Sequence, residues 1–582
     1  MRMVFVTLAS SFLVSLYGIA QHSGIDKDIW VQDVQNRVFS TLGQPNWLAA
    51  WIVALLPLTW ALALNLKLFS QKSKIKTKDI FKFLLWFLLS ILLFVTLLFT
   101  KSRSGLLGFA FTSVCFWSLT LVKFLKDKGP FYFSYVFLIF NISFLILILF
   151  FGTFWIPKLS NVIKTPNYTM QPTSEAGQAP LTAFQGPALE TGGTESGEIR
   201  KIVWRGAIEI WKHYPIFGSG VETFAFSYYQ FRPIEHNLVS EWDYLYNKAH
   251  NEYLNYAATT GTAGILTYSI LIGAIFLTFF KFKKQNSEFK NTDIISKSEV
   301  MNFALFAGFT SILITNFFGF SVVPVALEFF LFPAFALTLF QNPHPEGSNS
   351  KVALYQKIAL AFILFLTSFF LIQIARYWYA DYLYAQSKNR QNQGDFIQAR
   401  NTLTQAIQLS PKEPVYWNEL AQVGADIALS LGEKDEKENF VKFIQLALDE
   451  SDHAVAFSPY NVNFKRDRAR ILINFSGANS SFLEEARQTL EDAVTLAPTD
   501  AKLYYNLALT YLRLGDTQKS ISLLKKTIEM KTNYRDARFA LGLIYIDQGM
   551  KGKAKEQFEY ILTNINSGDK KVQEELDGLK SL

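Results

Sequence analysis

The chain of 582 residues has one cysteine, Cys115, set inside an apolar run. A single thiol rules out an intramolecular disulfide and any metal site built from several cysteines. No HExxH stretch is present, and His236, His250 and Glu222 are too scattered to read as a ligand set. No glycine-rich turn ends in Gly-Lys-Ser/Thr, so a nucleotide-cradling loop is excluded. Charge is scarce within the long apolar stretches, which also show no internal duplication; a transporter would place ionisable groups and interrupted helices there. The formal net charge of +8 comes from lysine clusters between apolar stretches. That pattern is a topology signal and not a nucleic-acid surface.

What is abundant is apolar and aromatic surface: half the chain is hydrophobic and 55 residues are Phe. It is unevenly spread, membrane-like before residue 376 and soluble-like after it. Apolar stretches at 3–20, 47–66, 80–99, 105–122, 131–156, 263–281, 299–318, 322–341 and 357–375 are each close to the length that crosses about 30 Å of hydrocarbon as a helix. The first carries only Arg2 and no small-residue cleavage site, so it reads as a membrane helix and not a signal peptide. Lysines cluster at 67–82 (Lys67, Lys72, Lys74, Lys76, Lys78, Lys82), at 123–128 (Lys123, Lys126, Lys128) and at 281–297 (Lys281, Lys283, Lys284, Lys290, Lys297). These loops alternate, so all three fit the cytoplasmic side. Loop 21–46, the turn 101–104 and the long polar loop 157–262 then face outside. Two crossings within 299–341 put everything after Arg376 outside as well.

From Tyr377 the pattern changes. Leu507, Ala508, Tyr511 and Gly515 recur 34 residues later as Leu541, Gly542, Tyr545 and Gly549. This is tetratricopeptide spacing, with small residues where paired helices approach and glycine in the turn. An earlier unit shows in Gly394, Asp395, Ala399, Ala406 and Pro411, and 416–498 reads as degenerate repeats marked by Pro459 and Pro498. Repeats need stacked neighbours to bury their apolar faces. The expected fold class is therefore all-α: a polytopic helical membrane domain at 1–376, an α-solenoid of repeats at 377–566 and a tail at 567–582. The solenoid either takes a protein partner or only supports the rest.

The outward loops collect the residues suited to chemistry. Arg103, in Lys101-Ser-Arg-Ser-Gly105, stands outside against the positive-inside rule. It either snorkels or offers its planar fork to phosphate oxygens. Arg205 lies on an amphipathic stretch between Trp204 and Trp211, either solvated or holding a diphosphate or sugar; Lys201 and Lys212 are weaker candidates. Gly218 and Gly220, in the turn that ends this stretch, permit positive φ or close backbone approach. His250, followed by Asn251, leads into the span from 263. Histidine is the side chain most readily used as a base near neutral pH, and Glu252, Asp243 or Glu241 is available to orient it; otherwise it is an interfacial histidine with a satisfied hydrogen bond. His213 and His236 are less suited. Gln21, Arg37, Gln44 and Asn46 are polar groups above the membrane, where Gly43 and Pro45 shape the turn. Trp204, Trp211, Tyr228, Tyr229 and Phe231 either stack on sugar rings or form an interfacial belt.

Taken together, YGIAQ at 17–21, RVFSTLGQPNWLAAW at 37–51, SRSGLLG at 102–108, WRGAIEIWKHYPIFGSG at 204–220 and AHNEYLNYAATTGTAGI at 249–265 resemble the O-antigen ligase and polymerase family of bacterial membrane enzymes. The resemblance covers residues 10–340, and members with tetratricopeptide repeats after the last span are familiar. It implies a GT-C-like helical fold in the bacterial inner membrane. It also implies transfer of a glycan from undecaprenyl diphosphate to an acceptor hydroxyl on the outer face, with no nucleotide sugar, cofactor or metal. By position it assigns the diphosphate to Arg103 and Arg205 and the acceptor to His250, with Gln21, Arg37, Asn46, Gly218, Gly220 and Asn251 in support. Family members usually carry several spans ahead of the segment matching 17–51. Here one precedes it, as in a late-started version of a longer protein.

The chemistry suits that implication. A diphosphate leaves without strong protonation but needs its charge stabilised as the C1–O bond breaks, which arginine donors near a low-dielectric boundary supply. Neutral His250, or a carboxylate, takes the acceptor's proton as the hydroxyl attacks C1 from the opposite side, inverting the anomeric centre. The acceptor is a second lipid-linked glycan for a polymerase, or a different glycan, lipid or protein for a ligase; the sequence leaves both open. Outside the enzyme class stand a transporter of lipid-linked sugars and a membrane scaffold displaying repeats. The scaffold reading leaves the residues between 204 and 254 without a purpose.

Overall fold

The structure is a computed structural model that describes residues 2–30, 32–66, 77–126, 132–157, 195–285, 292–339, 353–433 and 437–581. Parts of the expected lysine loops 67–82, 123–128 and 281–297 (residues 67–76, 127–128 and 286–291), and residues 158–194 of the long loop, lie outside the described residues. All regular structure among the described residues is helical. They fall into two compact units, one of Met1–Arg200, Ala207–Val221 and Lys248–His344, the other of Lys201–Gly206, Glu222–Asn247 and Pro345–Leu582.

The helices of the first half are α1 (Arg2–His22), α2 (Pro45–Leu64), α3 (Thr77–Phe99), α4 (Arg103–Lys126), α5 (Tyr132–Phe151), α6 (Ser196–His213), α7 (Phe224–Phe231), α8 (Glu252–Gln285), α9 (Thr292–Phe317) and α10 (Val323–Leu339). Eight helices among the described residues are long and apolar enough to cross a membrane. Seven of them are α1 to α5, α8 and α9, and the eighth is α11 (Leu354–Asn392). The chain is thus a multi-pass membrane protein followed by a soluble repeat region. The eighth expected span, 322–341, is α10, a shorter apolar helix of 17 residues, at the lower limit of what spans a bilayer.

In the first unit α2 is the buried axis. Every residue from Leu48 to Leu64 is buried, because α3, α4, α9 and α10 pack around it. Its start is fixed by chemistry legible in the sequence. Pro45 opens the helix, and the Gln44 side chain accepts from the Asn46 and Trp47 amides. Trp60 anchors the middle, stacked on Trp117 at 5.5 Å with its indole N–H donating to Ser90 Oγ at 3.0 Å. Lys123, near the C-terminal end of α4, pairs with Glu299 of α9.

The second unit is a ladder of helices: α11, α12 (Phe396–Leu409), α13 (Pro414–Glu433), α14 (Lys437–Phe457), α15 (Val462–Phe475), α16 (Ser481–Leu496), α17 (Ala501–Arg513), α18 (Thr517–Met530), α19 (Arg535–Asp547), α20 (Lys551–Asn564) and α21 (Lys570–Ser581). Consecutive helices pair from α11·α12 through α19·α20. Gly394, Gly515 and Gly549 stand at φ +80°, +88° and +70° in the turns within pairs, and Ala508 is fully buried. Pro411, Pro459 and Pro498 fall in the turns between pairs. The position 376, taken from the sequence as the end of the membrane domain, lies inside the continuous helix α11. Residues assigned to a tail form α21, with Val572 and Leu576 buried in the repeat core.

Candidate active site

Two motifs about forty residues apart meet through their backbones. Helix α8 breaks at Gly261, where φ is 66° and ψ −166°. The turn at 215–220 fills the break: the Thr262 amide donates to Pro215 O at 2.8 Å, Ala263 to Ile216 O at 3.1 Å, Ser219 to Ala258 O at 3.0 Å and Gly220 to Thr259 O at 3.0 Å. The approach is so close that a Cβ at Gly218, itself at φ +70°, would sit 2.3 Å from the Thr259 carbonyl carbon and the Thr260 nitrogen. Trp211 Nε1 donates to Thr262 Oγ1 at 3.1 Å. The glycines of one motif are there to receive the other.

A second knot joins the starts of α2 and α4. Ser102 caps α4, its Oγ accepting from the Gly105 amide at 3.1 Å. The same hydroxyl donates to Asn46 Oδ1 at 2.7 Å and lies 3.2 Å from Ser104 Oγ. Gly105 permits the approach, since a Cβ there would come within 2.5 Å of Ala49 Cβ.

His250 stands beside this knot. It takes φ +53°, in the left-handed region that a side chain rarely adopts. Asn251 caps α8, its Oδ1 accepting from the Leu254 amide at 3.0 Å. The imidazole packs edge-on against Phe320 at 5.5 Å. A cavity of about 130 Å³ is lined by His250, Arg200, Gln44, Asn46, Ser104 and Asn316, with Phe320 and Val325 among its apolar walls. That volume admits a phosphoryl group. The amino ends of α2, α4 and α8 all supply lining or adjoining residues, and helix amino ends favour anions. Burial, with the Arg200 charge second, lowers the His250 imidazole to about 4, so it is neutral at pH 7 and able to accept a proton.

Arg200 was not singled out by sequence reasoning, and helix geometry shows the signal. On α6 the buried hydrophobic residues are Ile199, Val203, Ala207 and Ile210, one face at 3.6-residue spacing. Arg200 flanks that face. Arg205 lies about 140° further round, is about half exposed, and pairs with Glu235 at 2.9 Å within the second unit. Asn316, another cavity residue missed in the sequence, sits near the end of a long apolar helix where nothing but an out-of-place amide marks it.

The remaining candidates have other surroundings. Arg103 pairs with Glu195, its guanidinium 3.4 Å above the Phe154 ring. Buried Gln21 accepts from the Ser40 amide at 2.7 Å and donates to Asp26 at 3.3 Å, shaping loop 21–46. Arg37 Nε donates to Thr100 O at 3.3 Å, tying that loop to the end of α3. Gly220 takes φ +116°. Of the carboxylates proposed to orient His250, Glu252 accepts from the Ser321 amide at 3.3 Å, Glu241 receives the Tyr246 hydroxyl, and Asp243 pairs with Arg466 and Lys502. Tyr228 and Tyr229 are buried in the second unit, Tyr228 hydrogen-bonded to His236 Nδ1 at 2.9 Å; neither face is open to a sugar.

Residues 88–269 match the family model described as O-antigen ligase, and residues 489–522 match that of a tetratricopeptide repeat. The two-part assignment of the sequence stands on these matches. No curated protein matches the chain. Among solved structures, a thermophilic tetratricopeptide-repeat protein of Thermus thermophilus is 20% identical, covering 35% of this chain and 100% of its own, with a TM-score of 0.27. MamA of Desulfovibrio magneticus is 19% identical over 33% of this chain and 97% of its own, TM-score 0.27. PilF of Pseudomonas aeruginosa is 19% identical over 36% of this chain and 90% of its own, TM-score 0.28.

Proposed function

We propose that this chain is an inverting, metal-independent glycosyltransferase of the GT-C-like kind, moving a glycan from undecaprenyl diphosphate to an acceptor hydroxyl on the outer face of the inner membrane. The observation that carries the reading is the meeting of His250, Arg200 and three helix amino ends around one small cavity. Of its lining residues, Ser104, Arg200 and His250 fall within the O-antigen ligase match, 88–269. The lysine pattern supports an outward cavity: Ser104 is at the cavity end of α4, while Lys123 and Lys126 at its other end fit the cytoplasmic side.

In this reading Arg200 and the helix amino ends take a phosphoryl oxygen of the donor, and the sugar lies outside the cavity. The acceptor oxygen bonds to C1 as the C1–O bond to phosphate breaks, and undecaprenyl diphosphate leaves with the electron pair. His250 takes the acceptor's proton. An imidazole held near 4 is a weak base, but a bound diphosphate puts negative charge beside it and raises its affinity for the proton. Thus donor binding itself improves the base. Arg103, whose ion pair is with an exposed carboxylate, can exchange Glu195 for phosphate at little cost, since exposed pairs contribute little. Arg205 is assigned to the donor on the resemblance alone.

The test is transfer of labelled glycan from undecaprenyl diphosphate in liposomes. Chains that lengthen on the lipid identify a polymerase, and a single block moved to an added acceptor identifies a ligase. Retention of all label on the donor, with every acceptor class supplied, overturns the reading.

A further inference from the structure

The repeat unit holds residues 222–247 of the long loop as part of its own fold. The segment forms one short α-helix, α7, and is otherwise turns and a 3-10 stretch. Its order comes from the starts of α15, α17 and α19 and the turns before α17 and α19. Arg232 is 4% exposed and donates to Trp242 O, Asn237 Oδ1 and Thr499 O at 3.0, 3.0 and 3.1 Å. Thr499 Oγ1 returns a bond to Arg232 O at 2.9 Å. Fully buried Asn237 donates to Thr499 O at 2.8 Å and accepts at its carbonyl from Lys531 Nζ at 2.6 Å. Lys531 also lies 4.5 Å from the Trp242 ring, whose edge meets Tyr534 at 5.4 Å. Asp243 is clamped between Arg466, at 3.3 Å, and Lys502. Tyr229 packs into the repeat core.

We propose that this edge of the solenoid is a receptor for the chain's own loop, so that the repeats work in cis. Solenoid surfaces ordinarily take other proteins. Here the starts of the two repeats that open at α17 and α19 read Arg232, Asn237 and Trp242, set five residues apart, and Arg466 of the preceding repeat joins Lys502 in closing on Asp243. The match is in charge as well as shape: Arg466, Lys502 and Lys531 meet one carboxylate, one carbonyl and one indole face. A protein partner using this edge must displace the segment. The inference does not depend on the transfer reading.

Amide exchange on the full chain in lipid nanodiscs tests it. The amides of His236, Val239, Trp242 and Tyr244, bonded within the segment's own turns, are expected to be protected. Asp243→Arg is expected to speed their exchange on the order of tenfold, as a charge-assisted clamp is lost and the segment opens locally. Adding Arg466→Asp and Lys502→Asp to that variant is expected to restore protection. Free-loop exchange in the unmodified chain overturns the proposal without any variant. So does unchanged protection in Asp243→Arg, or a triple variant no better protected than the single one.

Discussion

Gly218→Ala tests whether the turn at 215–220 and the break in α8 form one unit. Two costs add. A non-glycine residue in the left-handed region costs about 1 kcal/mol, and Gly218 is at φ +70°. The new methyl would also stand 2.3 Å from backbone atoms of Thr259 and Thr260. Those are main-chain atoms, so no side-chain rotation relieves the clash and the two segments must part. Parting loses the four backbone bonds from Ser219, Gly220, Thr262 and Ala263, each contributing about 1 kcal/mol net. The sum, about 4 to 5 kcal/mol, corresponds to about three orders of magnitude in local opening. The assay is amide exchange at those four positions, with Gly197→Ala as control because a Cβ at Gly197 meets nothing within 4 Å. The expected result is fast exchange in the first variant and wild-type exchange in the second, with glycan transfer lost only in the first. Wild-type protection and transfer in Gly218→Ala refute the reasoning.

Two further outcomes follow from the site and the repeats. The acid limb of kcat/KM, which reports the free enzyme, should fall as pH drops through about 4, where His250 becomes protonated. The acid limb of kcat should lie at higher pH, because bound diphosphate favours the imidazolium; coincident limbs in a pH–rate series contradict the proposed coupling. Asp516 caps α18, accepting from the Lys519 amide at 2.9 Å, so Asp516→Ala should cost about 1 kcal/mol in repeat stability. Denaturant titration followed by circular dichroism reads that loss, with transfer unchanged; equal stability would show the cap to be solvated.

Much of the architecture was legible because it rests on local patterns. Uninterrupted apolar length marked the spans, and the 34-residue recurrence of Leu507 and Gly515 as Leu541 and Gly549 marked the repeats. The boundary at 376 was not, since no glycine or proline interrupts α11 between Leu354 and Asn392. The pairing of Gly218 with Gly261 was illegible for another reason: it joins backbone atoms across the chain, and sequence shows only that both are glycine. On α6 the choice between Arg200 and Arg205 turns on which helix face is buried, and the neighbouring Trp204 draws attention to Arg205 in the sequence although the helix turns the two apart. The docking of 222–247 leaves no periodic trace at all, because its partners are single side chains and carbonyls on separate repeats.

The central claim is that Arg200 and His250 serve one transfer reaction. The most direct test is the transfer rate of Arg200→Ala and His250→Ala in liposomes, beside Arg103→Ala and Arg205→Ala and with amide exchange confirming the fold of each. Loss of a charge-stabilising donor or of a general base should lower kcat on the order of a hundredfold or more. The account predicts that loss for both Arg200→Ala and His250→Ala. Wild-type kcat in a folded Arg200→Ala or His250→Ala protein would contradict it.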